Sequence, residues 1–156
     1  MIIISAPDSN EKNMAIAMGR ACVFFNIRKT TRLLTAHYDR MLSPSGLKTT
    51  QFSLLMNVLL QESSTVSALA RQLGMDRTTL SRNVRLLAQK GLLNVFNGQD
   101  RREQRISLTE QGRQAIDRAI PYWQQAQAEI EEQLGREWVK DFLSSLRHIN
   151  RSDLKK

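Results

Sequence analysis

Between Lys12 and Met41 the apolar positions Phe24, Ile27, Leu34, Tyr38 and Met41, with Thr31 between them, recur at alternating steps of three and four. That is the repeat of one helical face, and the spacing predicts a single long helix. Ser43-Pro44-Ser45-Gly46 then joins a helix breaker to turn formers. A second helix should follow, with Phe52, Leu55, Val58 and Leu59 on one face and Thr49 or Thr50 as its cap. After Ser63-Ser64-Thr65, the positions Val66, Leu69, Ala70 and Leu73 predict a short helix closed by Gly74. Asp76 suits the N-cap of the next, which carries Leu80, Val84 and Leu87 and ends at Gly91.

The period then changes. Leu92 to Asn97 and Arg105 to Leu108 read as two short strands around the polar run Gly98-Gln99-Asp100-Arg101-Arg102-Glu103, the composition of a hairpin tip. Thr109 with Glu110 behind it caps a long helical run through Ala119, Trp123, Ala126, Ile130 and Leu134, which Pro121 should kink or divide. A last amphipathic helix places Trp138, Phe142, Leu146 and Ile149 together, leaving 151–156 as a tail expected to fray.

A chain of 156 residues is the size of one domain, and 41% hydrophobic residues suffice for a buried core, so one folded unit is expected. Charge sharpens the picture. The 23 Lys and Arg outnumber the 15 Asp and Glu, a formal +8. The excess is concentrated: residues 65–105 hold eight cations against three anions, whereas 106–146 hold four against seven. A focused basic region points to a polyanion as partner. The lone Cys22 excludes an internal disulfide and a thiolate zinc site, and no cofactor is implied. The opening residues lack the basic start and long apolar run of a signal peptide, and no membrane span is legible, so the expected location is the cytoplasm.

Two helices joined by a short Gly-containing turn, the second with small polar and basic residues on its outer side, meet the requirements of a helix-turn-helix. Leu80, Val84 and Leu87 can seat the second helix on Leu69 and Leu73, which leaves Arg77, Thr78, Ser81, Arg82 and Arg85 facing elsewhere. Arg can bridge the two acceptors of guanine, and Ser or Thr can hydrogen-bond base edges or touch a thymine methyl. The basic hairpin that follows supplies a second contact point. A guanidinium such as that of Arg102 fits a narrow, electronegative minor groove, and Asp100 can orient it.

The run Asp100-Arg101-Arg102-Glu103-Gln104-Arg105-Ile106-Ser107-Leu108-Thr109-Glu110-Gln111-Gly112 resembles the wing signature of the MarR family of bacterial regulators. Thr65 to Ala70, Asp76 to Leu87 and Lys90-Gly91-Leu92-Leu93 stand where that family has its helix-turn-helix. The resemblance implies an α-rich (α+β) fold: a winged helix-turn-helix core at 49–108, with a recognition helix at about 76–90 and a wing at about 92–108. Long helices at 12–42 and 109–150 would interlock as a homodimer. By the same resemblance Arg102 would be the minor-groove arginine and Asp100 its supporting acid, flanked by Arg101. Arg77, Thr78, Thr79, Ser81 and Arg82 would read the major groove, with Arg85 on the same face. Apolar residues such as Trp123, Trp138, Phe142, Leu146 and Ile149 exceed what a small core can cover and independently argue for a second copy.

The expected function is therefore a sequence-specific, dimeric DNA-binding transcription regulator, a repressor by resemblance, acting on double-stranded DNA at a pseudo-palindromic site. Family members are often released from DNA by a small phenolic or aromatic acid or by oxidation of a cysteine. Candidates for an effector site are Arg20, Thr31 and Tyr38, the polar members of the first helix's inward stripe, with Arg20 able to hold a carboxylate. When Tyr38 and Gln51-Phe52 are registered on the peroxide-sensing branch, its cysteine position falls on Phe24 and its supporting tyrosines on Arg28 and Thr49. Cys22 is thus read mainly as a small apolar residue, with redox sensing the lesser alternative. A nonspecific architectural DNA-binding protein is the main rival, and a winged helix that binds only protein is a third reading. The two His residues, His37 and His148, are distant in sequence, and no hydrolytic, metal-spacing or phosphate-loop motif is present, so an enzyme is not expected.

Overall fold

The computed structural model describes residues 9–61, 63–98 and 103–151. The chain divides between His37 and Tyr38 into two units. The first holds α1 (Ser9–Ala21) and most of α2 (Val23–Leu42). The predicted single helix is therefore two segments. The carbonyls around Cys22 explain the interruption, because the Asn26 amide donates to the oxygens of Cys22 at 2.9 Å and Gly19 at 3.1 Å. A side chain that competes for helix carbonyls loosens the turn it serves. Backbone bonds still flank the break, from Cys22 N to Met18 O and from Asn26 N to Cys22 O. Cys22 is a half-buried free thiol whose Sγ accepts from the Phe25 amide at 3.5 Å.

The second unit carries a single 3-10 turn (Ser43–Ser45), α3 (Thr49–Gln61), β1 (Ser64–Thr65), α4 (Val66–Leu73), α5 (Arg77–Gln89), β2 (Leu93–Asn97), β3 (Gln104–Leu108), α6 (Glu110–Leu134) and α7 (Arg136–Arg151). The strands form an antiparallel sheet in the order β1-β3-β2. Leu93 faces Leu108 and Asn97 faces Gln104 across the hairpin, while Ser64 faces Ile106. The two-residue β1 was not read from the sequence, since it exists only through pairing with a strand some forty residues downstream.

One apolar core joins these elements. Leu55 and Val58 of α3, Leu69 of α4, Leu80 and Leu87 of α5, Ile106 of β3 and Ile116 of α6 are all within 1% of complete burial. Side chains of this size each contribute about 1.5–3 kcal/mol on burial, so the apolar face of α5 firmly fixes the direction of its polar face. Helix α6 runs through Pro121 without dividing. Pro121 forfeits a backbone bond, but it is exposed, and buried Ala115, Ile116 and Ala119 before it and Ala126 after it anchor both halves. Among the described residues no helix is long and apolar enough to cross a membrane.

Candidate nucleic-acid interface

Local hydrogen bonding sets the helix-turn-helix. Thr65 is extended, and its hydroxyl caps α4 by accepting from Ala68 N at 3.0 Å. Gly74 ends α4 at φ 62°, a left-handed conformation that favours glycine, and the chain re-enters helix three residues later at Arg77. Asp76, extended at φ −70°, accepts from Thr79 N at 2.8 Å. Hydrogen bonds from Thr79, first from its side chain and then from its amide, hold the Asp76 carboxyl below the usual carboxylate range. The start of α5 is thereby fixed at the end that would approach a ligand.

With Leu80, Val84 and Leu87 buried, Arg77, Thr78, Thr79, Arg82 and Arg85 emerge exposed on the opposite side. Ser81 is half-buried, and its hydroxyl donates to Arg77 O at 2.7 Å, so what it presents outward is acceptor capacity. Arg71 is exposed on α4. Ion pairs join Arg40 to Glu129, Arg136 to Glu131 and Lys140 to Glu137, all away from α5. The arrangement offers exposed guanidinium groups and the Thr78 hydroxyl on one helix face, which is what phosphates and base edges require.

The hairpin β2–β3 begins four residues after α5 ends. Gly98 N donates to Glu103 O at 2.7 Å, closing the base of its loop. Asp100, Arg101 and Arg102 lie outside the described residues. Arg105 on β3 is half-buried, and its Nε is a buried donor with no partner among the described residues.

A three-way joint ties this hairpin to the helices. The Thr109 hydroxyl donates to Gly91 O at 2.6 Å and accepts from Gly112 N at 2.9 Å, while Thr109 N donates to Leu92 O at 3.2 Å. At Gly112 a Cβ would overlap the Leu92 carbonyl oxygen, so this turn of α6 lies against backbone and admits no side chain. The sequence reading placed Gly112 in a motif but gave no reason for it; the reason is this approach.

A second feature is a cleft of about 540 Å³. Tyr38, Phe52, Met56, Ile120 and Trp123 wall it, and Thr49, Ser53 and Asn57 add polar atoms. Of the effector candidates Arg20, Thr31 and Tyr38, Tyr38 lines this cleft; Arg20 and Thr31 are exposed on α1 and α2. The Tyr38 hydroxyl donates to Gln127 Oε1 at 2.7 Å. Burial, and then the negative charge of Glu131, push its ionisation above that of a free phenol. Thr49 does not act as a cap. It is the first residue of α3, its amide donates to Asp39 Oδ1 at 2.7 Å, and its Oγ1 is buried without a partner among the described residues. The other lining residues escaped sequence reading, because Phe52 and Trp123 sit within ordinary helical stripes and only the fold brings them together.

The MarR family model matches residues 45–103. Among solved structures, the Mycobacterium tuberculosis transcriptional regulator MosR in complex with DNA is 39% identical over 84% of this chain and 99% of its own, with a TM-score of 0.72. A mutant MarR from Escherichia coli, complexed with operator DNA, is 22% identical over 88% of this chain and 96% of its own, with a TM-score of 0.76. The PcaV regulator from Streptomyces coelicolor, in complex with its natural ligand, is 18% identical over 88% and 96%, with a TM-score of 0.77. The latter two show the shared fold. No curated protein sequence matches the chain.

Proposed function

Because this chain belongs to the MarR family, we propose that it is a transcription regulator that binds a pseudo-palindromic DNA site as a homodimer, represses from that site, and leaves it when a small aromatic effector occupies the Tyr38 cleft. The observation that carries the DNA reading is the outer face of α5, where Arg77, Thr78, Thr79, Arg82 and Arg85 stand exposed over a fully buried apolar face. Arg77 and Thr78 in the first turn would meet base edges, while Ser81, Arg82 and Arg85 would extend the contact along the major groove. Arg102, supported by Asp100 and flanked by Arg101, would enter the minor groove. The DNA complex of the 39%-identical MosR supports this reading.

Homodimerisation is supported by apolar surface at the C-terminal end. On α7, Trp138 stacks on Phe142 with ring centroids 5.1 Å apart while remaining 52% exposed, and Leu143 and Ile149 are exposed nearby. Such a patch on a charged helix marks an interface. A two-fold dimer would set half-sites about one DNA turn apart. For the effector, the support is the cleft's aromatic and aliphatic walls and its position against α6, the helix joined through Thr109 to the end of α5.

Selection from a random duplex library, with Arg102→Ala run in parallel, tests the proposal. Enrichment of an inverted repeat by the wild type, lost in the variant, is the expected result. Tight binding without an enriched motif would instead make the protein an architectural DNA binder, since nonspecific affinity needs only phosphate neutralisation.

A further inference from the structure

We propose that Arg105, a residue outside the base-reading set assigned above, holds a DNA phosphate at the rim of the minor groove. This rests on the DNA reading above and adds a backbone contact to it. The sheet sets where the residue stands. Ile106 and Leu108 turn into the core, so the alternation of β3 puts Arg105 and Ser107 on the opposite face. Because β3 is the middle strand, Arg105 is flanked on both sides, by Phe96 of β2 and Thr65 of β1, and Ser107 lies across from Asn94. None of these neighbours is charged.

Flanked in this way, Nε has lost water and gained no partner among the described residues. A buried donor of a charged group left unsatisfied is costly, whereas hydrogen bonds between a guanidinium and an anion are among the strongest available. Glu103, the acid two residues away along β3, does not supply that anion, since its carboxylate lies against Gly98 at the base of the loop. Asn94 and Ser107 add neutral donors and no negative charge. What the place lacks is an anion.

The position of the hairpin identifies the anion as a backbone phosphate. β2 begins four residues after α5 ends, so a duplex lying along the outer face of α5 is within reach of the hairpin. Three residues of extended chain span at most about 11 Å, and the minor groove is about 7.5 Å deep. With Arg102 in that groove, as proposed above, Arg105 comes level with its rim, where the phosphates of the two strands run. A guanidinium there reads no sequence; it neutralises one phosphate in each half-site and fixes how deep the hairpin sits.

The test uses the full chain, a duplex carrying the selected inverted repeat and an unrelated duplex of equal length, with affinities measured by fluorescence anisotropy across a salt series. Arg105→Met removes the charge and the unsatisfied donor together. It should weaken binding to both duplexes severalfold and lower the salt slope by about one for each half-site. Its melting temperature should hold or rise, because a buried group without a partner is gone. Arg105→Lys keeps the charge and should retain most of the slope. Methylphosphonates placed singly along the selected duplex should reveal one phosphate per half-site, beside the minor groove, whose neutralisation costs the wild type affinity and leaves Arg105→Met nearly unaffected. Arg118→Met, at an exposed position on α6, measures the loss of a cation elsewhere on the molecule. A slope change equal to that of Arg118→Met, or the absence of any phosphate that separates Arg105→Met from the wild type, overturns the assignment and leaves the DNA reading standing. A melting temperature that falls in step with affinity makes Arg105 structural and overturns it too. If the wild type binds neither duplex at low salt, the DNA reading itself falls.

Discussion

On α5 the side chains of Arg77, Arg82 and Arg85 stand exposed, and no described ion pair involves them; on α7 Arg136 and Lys140 reach Glu131 and Glu137 at 3.2 and 3.3 Å. The same chemistry is deployed in two ways. At the end of the molecule carrying α6 and α7, charges satisfy one another in exposed pairs that contribute little to stability. On α5 the cations are exposed, and the helix is held instead by Leu80, Val84 and Leu87 beneath them. Binding capacity and fold stability are thus assigned to opposite sides of one helix, so they can be perturbed separately.

The largest effect should come from the joint beneath that helix. Gly112→Ala forces a methyl group into the Leu92 carbonyl and should cost about 3 kcal/mol of stability in urea denaturation, weakening DNA binding only as a consequence. A neutral result there would show that α6 can stand off from the hairpin. The second test contrasts the two regions: Arg82→Ala should lose ~1 to 3 kcal/mol of binding at particular base positions, with its melting temperature unchanged. Lys140→Ala should leave both quantities within about 0.5 kcal/mol. Equal losses of affinity from the two would erase the distinction drawn here.

The smallest effect concerns the cap. Asp76→Ala should lower the melting temperature by a few degrees, and Asp76→Asn, which keeps the acceptor, by less. Because the folded-state carboxyl is held below its usual range, the contribution of Asp76 is complete above the unfolded value near 3.8 and fades as the pH falls through the folded one. Melting curves followed into acid should therefore slope less steeply for Asp76→Asn than for the wild type.

These contrasts also explain what could be read in advance. Capping by Asp76 and Thr109 was legible because an N-cap reaches only three residues along the chain, and the hairpin because its period is two. The outer face of α5 followed once Leu80, Val84 and Leu87 were assigned to the core. The cleft was not legible: Tyr38 meets Gln127 across 89 residues, and no periodicity encodes that meeting. Nor was the break at Cys22, since Asn26 fits a helical stripe as well as any polar residue until its amide turns back on the carbonyls behind it.

The Thr109 hydroxyl has a mechanical consequence. By gripping Gly91 with its proton and Gly112 with its lone pair, it removes the compliance that a connection between two helices would otherwise have. Helix α6, at 25 residues, is a lever about 37 Å long, and pivoting it by about 5° sweeps its far end through about 3 Å. With a stiff coupling at the near end, such a stroke is passed on to α5 as rotation rather than absorbed, and in a two-fold assembly the two strokes would add. In the regulator proposed above, the grip on a double site would then depend on gearing, with the Thr109 hydroxyl setting how much travel reaches the outer face of α5.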